Sequence, residues 1–68
     1  MSSIRICLDK VLEKQHITRY ELQKRTGIQY QTIDKYYKNK VVRYDSDLLL
    51  KMCVALDCGI DELIEVIR

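Results

Sequence analysis

Apolar residues recur at helical spacing along nearly the whole chain, in five stretches separated by short polar breaks. In residues 4–15, Ile4, Leu8, Val11 and Leu12 follow an i, i+4, i+7, i+8 stripe, with Ile6 and Cys7 beside it. Asp9, Lys10, Glu13 and Lys14 face away, and His16 falls at the helix end, where a cation suits the macrodipole. The second stretch, 18–26, opens on Thr18-Arg19-Tyr20-Glu21, a capping box flanked by Ile17 and Leu22 as a hydrophobic staple. Gly27 supplies the left-handed residue that ends it. The third, 29–38, turns Ile28, Ile33 and Tyr36 inward and Tyr30, Gln31, Asp34, Lys35 and Lys38 outward, with Asn39 as a left-handed terminator. Residues 40–44 read as a loop or a short extended piece. Asp45 or Ser46 caps a fourth helix to about residue 57, whose buried side is Leu48, Leu49, Met52, Cys53 and Leu56. A fifth starts around 59–62, with Asp61 and Glu62 in its first turn, and runs through Leu63, Ile64 and Ile67. The pattern predicts one compact all-α domain over residues 1–68, with no internal linker.

Composition narrows the function more than the fold. Proline is absent and only two glycines occur, so little besides the turns interrupts helix. A chain of 68 residues buries only about 60% of the surface its unfolded form exposes, which leaves little room for a shielded cleft. One histidine, no glycine-rich phosphate loop and no paired metal-ligand spacing make an enzyme, a cofactor or a metal site unexpected. Cys7, Cys53 and Cys58 are odd in number, and the last two lie four residues apart rather than two, so buried reduced thiols are expected. No apolar run reaches the length of a membrane span and no signal-peptide pattern is present, so a soluble, cytoplasmic protein without a membrane partner is expected.

Charge then points to a class of partner. Residues 1–44 carry ten Lys/Arg against four acids, a net +6; residues 45–68 carry two against six, a net −4. A basic front with an acidic back suits a protein that turns one side to a polyanion. The richest stretch is 18–38, TRYELQKRTGIQYQTIDKYYK, two short helices around the turn Thr26-Gly27-Ile28. The second begins with outward polar side chains, the arrangement by which a helix end enters the DNA major groove.

The opening I-R-I-C-L, the core E-L-Q-K-R-T-G-I-Q-Y-Q-T-I and the closing L-L-L-K-M-C-V-A-L-D-C with D-E-L resemble the Cro/CI-type helix-turn-helix family of phage and bacterial repressors. That resemblance implies a five-helix, lambda-repressor-like bundle whose third helix reads DNA. It puts Arg19 where family members commonly place a phosphate-contacting glutamine. It puts Tyr30, Gln31 and Lys35 at positions that reach base edges, flanked by Gln29 and Asp34, and gives Thr32, Lys38, Lys40 and Arg43 phosphate or groove-edge positions. It also implies a homodimeric repressor on an inverted-repeat operator, with no small-molecule ligand evident. The exposed part of the fifth helix, Val66 above all, and the 41–44 loop are the candidate dimer contacts.

Side-chain chemistry fits these roles. Gln31 offers a donor and an acceptor to adenine N6/N7, and Lys35 a donor to guanine O6/N7. Tyr30 offers a hydroxyl to phosphate or a ring to a thymine methyl. Lys38, Lys40 and Arg43 suit phosphates, which fix register without reading sequence. Three residues depart from the family pattern. Gln23 replaces the usual alanine where the two helices meet, Gln29 is a poorer N-cap than Ser or Thr, and Asp34 puts a carboxylate on the DNA side unless it accepts from cytosine N4 or pairs with a nearby lysine. These departures keep a second reading open: a protein-interaction module of the same fold, antirepressor- or antitoxin-like, with weak or no DNA binding.

Overall fold

A computed structural model describes residues 2–68. Its elements, in chain order, are β1 (Ser3–Ile6), α1 (Leu8–Gln15), α2 (Arg19–Thr26), α3 (Tyr30–Tyr37), α4 (Ser46–Leu56), α5 (Ile60–Leu63) and β2 (Ile64–Ile67). Five helices occur in the expected order, but the first begins at Leu8 rather than near Ile4 and the fifth ends at Leu63 rather than running through Ile67. Both ends of the chain differ from the all-α expectation: β1 and β2 form a two-stranded antiparallel sheet, with Ser3 opposite Ile67 and Ile6 opposite Ile64.

The physical reason lies in side-chain shape and burial. Ile4 and Ile6 alternate along β1, and Ile64, Val66 and Ile67 crowd β2, so both are rich in β-branched residues that favour a pleated surface. Ile6 is fully buried next to the helical body, while Ile4, two residues earlier on the same face of the strand, is half exposed. Helix α1 therefore starts at Leu8, behind Cys7, whose N–H donates to the Leu63 carbonyl at 2.7 Å. The fifth helix stops after a single turn.

Local chemistry sets the remaining boundaries. Thr18 Oγ1 accepts from the Glu21 N–H at 3.0 Å, and Gly27 closes α2 with φ 76°. Only half of the expected capping box is present, since Glu21 pairs with Arg25 at 3.4 Å rather than turning back to Thr18. Thr26 Oγ1 donates to the Leu22 carbonyl and accepts from the Ile28 N–H, which fastens the turn. Asp45, not Ser46, caps α4, accepting from the Asp47 and Leu48 amides. Asn39 terminates α3 with φ 57°, as its short polar side chain allows.

Ile6, Leu8, Leu22, Ile33, Met52, Leu56 and Leu63 are fully buried and join six of the seven elements in one core. Leu48, Leu49 and Cys53, expected inside, are only half-buried. All three cysteines are free thiols, but of these only Cys7 is buried. Two bonds tie the end of α3 to its surroundings. Asn39 Oδ1 accepts from the Ile6 N–H at 2.9 Å, and the buried Tyr36 accepts from the Asp45 N–H through its hydroxyl at 3.1 Å.

Candidate nucleic-acid interface

Helix α3 is amphipathic because its sequence divides by angle. Ile33 and Tyr36 sit on one side and are buried, and Ile28 just before the helix joins them. Gln31 and Lys35, four residues apart, lie on the side away from the core, and both are exposed. Gln29 and Tyr30 at the start of the helix are also exposed, so its amino-terminal turn is uncovered by the rest of the chain. Gln29 makes no side-chain cap, as its residue type implies, and the first amides of α3 are left without a side-chain acceptor.

A third strip runs between these two. Tyr30, Asp34 and Tyr37, spaced i, i+4, i+7, face the start of α2, where Arg19 is the first helical residue. The Arg19 guanidinium stacks 4.3 Å from the Tyr37 ring centroid and 5.8 Å from that of Tyr30, and donates to Asp34 Oδ1. Lys38 Nζ approaches the other carboxylate oxygen at 3.0 Å. The lysine's hydrogen bond, with its charge and the Arg19 contact behind it, lowers the Asp34 pKa despite partial desolvation. Asp34 thus stays ionised, and both its oxygens are engaged within the protein.

The remaining sequence-derived positions surround this strip. Lys38, Lys40 and Arg43 are exposed at the end of α3 and in the loop after it, while Thr32 is half-buried. Val41 and Tyr44 pack on the core and hold the loop down, leaving Val42 between them 91% exposed. Gln23, on α2, is half-buried. Lys24 stands 4.8 Å over the Tyr20 ring on the outer side of α2. Val66 is exposed on the sheet beside its cross-strand partner Ile4, also exposed.

Sequence reasoning placed Arg19 and Asp34 in separate roles, one toward phosphate and one toward bases. The structure brings them together, and adds Tyr37, which sequence reasoning assigned no contact. The 30, 34, 37 spacing was the available signal. Among the described residues no group of three metal-ligating side chains occurs, and no helix is long and apolar enough to cross a membrane.

Comparison with known proteins agrees with this geometry. Residues 7–68 match the model of the family described as the Cro/C1-type HTH DNA-binding domain. Among solved structures, a candidate DNA-binding protein from Bacteroides fragilis is similar at a TM-score of 0.81 and 24% identity, over 93% of this chain and 100% of that one. The transcriptional regulator VanUg is similar at a TM-score of 0.78 and 25% identity, over 98% of this chain and 88% of that one. No curated protein matches.

Proposed function

The chain belongs to the Cro/C1-type HTH DNA-binding domain family, and from that premise we propose a sequence-specific, double-stranded DNA-binding transcription regulator that represses as a homodimer on an inverted repeat. The observation that carries this reading is the uncovered start of α3, with Gln29, Tyr30, Gln31 and Lys35 all exposed. Similarity to the transcriptional regulator VanUg supports the regulatory role.

In this reading α3 lies in the major groove. Gln31 pairs with adenine and Lys35 with guanine, with Gln29 and Tyr30 at the edge of the site. Arg19, Thr32, Lys38, Lys40 and Arg43 set register on phosphates. Asp34, engaged on both oxygens, takes no base. A second copy joins through the sheet around Val66, and an inverted repeat calls for its two α3 helices about one DNA turn apart.

In-vitro selection from a random duplex library, followed by fluorescence anisotropy across a salt series, tests the proposal. The selected site should be an inverted repeat, and affinity should fall by orders of magnitude between low and physiological salt. No saturable binding to any duplex would reject the DNA reading and favour the interaction module. Sedimentation with Val66→Asp tests the assembly: the wild type should dimerise and the variant should not, and two identical profiles would remove Val66 from the contact.

A further inference from the structure

One cation, Arg19, meets the first residue of α3 through Tyr30, its middle through Asp34 and its last through Tyr37. A contact along the whole length of a two-turn helix does more than neutralise charge, because it resists rotation of that helix about its axis. Ile33, Tyr36 and the Tyr36–Asp45 hydrogen bond hold the core side of α3, and the Arg19 contact holds the strip that faces α2. Among the described residues, the ion pair that joins α2 to α3 is Arg19 with Asp34.

Resting on the DNA-binding reading above, we propose that Asp34 is a specificity-determining positioning residue. It holds Arg19 and Lys38, fixes the rotation of α3, and thereby aims Gln31 and Lys35 at the bases. The lever is short but sufficient. A side-chain tip about 6 Å from the helix axis moves about 1 Å for a 10° rotation, more than the tolerance of a base hydrogen bond.

Asp34 also limits indiscriminate binding. The Arg19–Asp34–Lys38 group carries two positive charges and one negative, so only part of its cationic charge faces a phosphate. Removing the carboxylate frees both cations for any duplex while loosening the aim of the readers. Random-sequence affinity therefore rises as preference for the true site falls.

The experiment compares wild type, Asp34→Asn and Asp34→Glu on a selected duplex and a scrambled one, each across a salt series. Asp34→Asn is expected to lower the ratio of selected to scrambled affinity about tenfold. On the scrambled duplex it should steepen the salt slope by up to about one unit. Asp34→Glu, which restores the charge, should recover most of the ratio. Equal loss on both duplexes with an unchanged slope would overturn the proposal. So would relaxed preference at a single cytosine, which would make Asp34 a base reader.

An arm without DNA separates the clamp from the function. By NMR, the Arg19 guanidinium protons should exchange with water slowly in the wild type and fast in Asp34→Asn; fast exchange in both would refute the clamp itself. Failure of the wild type to bind any duplex would remove the DNA reading, and the specificity role with it, while this arm still reports whether the clamp exists.

Discussion

Asn39 is the residue whose replacement tests the construction of the fold most directly. It holds a left-handed backbone at φ 57° and accepts, through Oδ1, the N–H of the fully buried Ile6 at 2.9 Å. The two contributions can be separated by three substitutions. Asn39→Gly keeps the backbone and loses the acceptor, leaving the Ile6 N–H without a partner at a cost of about 1–3 kcal/mol. Asn39→Ala loses the acceptor and adds the left-handed cost of a Cβ, about 1 kcal/mol more, for a total of about 2–4 kcal/mol. Asn39→Asp retains both an acceptor and tolerance of the conformation, as Asp57 shows here at φ 49°, and should cost under about 1 kcal/mol. In a domain of this size 1 kcal/mol corresponds to about 4–8 °C in Tm, so Asn39→Ala should melt about 8–32 °C below wild type. Thermal and guanidinium denaturation followed by circular dichroism measure it. Identical stabilities for the Gly and Ala variants would refute the backbone contribution. An Asp variant as unstable as the Ala variant would refute the hydrogen bond.

Other predictions concern the surface and the thiols. Gln31→Ala should cost about 1–3 kcal/mol on the selected site and relax preference at one base position; equal loss on every duplex would deny it a reading role. Lys40→Ala should weaken binding evenly and flatten the salt slope by about one unit, and an unchanged slope would take it off the phosphates. Burial, reinforced by the neighbouring Cys53, raises the Cys58 pKa from 9.0 to about 11. The folded state thus favours the protonated thiol, a contribution fully present below pH 9.0 and lost as pH rises from there toward 11. At pH 8 its thiolate should be about 100-fold scarcer than that of an ordinary cysteine, so alkylation of Cys58 followed by mass spectrometry should be slow until the protein is unfolded. Rapid labelling of the native protein at that site would contradict this environment.

The parts of the fold that were legible in the sequence are those governed by local chemistry. Thr18 and Gly27 mark both ends of α2, and Asn39 the end of α3, because a cap or a left-handed residue acts within a few positions of itself. The strands were not legible as strands. Ile4, Leu8, Val11 and Leu12 satisfy a helical period, and what makes 3–6 extended is a partner near the other end of the chain. No local pattern reports such a pairing, although the β-branched crowding at Ile64, Val66 and Ile67 hinted at it. At the candidate site, the outward placement of Gln31, Lys35 and Lys38 followed from periodicity, whereas Tyr30 and Asp34, read as outward too, turn toward Arg19. The ion pair between Arg19 and Asp34 depends on how two helices cross, which periodicity does not encode.

Pairing Ser3 with Ile67 has a consequence for how the molecule is made. As the polypeptide is synthesised, residues 3–6 must wait unpaired until 64–67 leave the ribosome. Bringing segments so distant together carries a loop-closure entropy that the helical body must first reduce by folding. A nascent chain halted before residue 64 would hold its helices without their seam, and emergence of residues 64–67 would act as the fastening step.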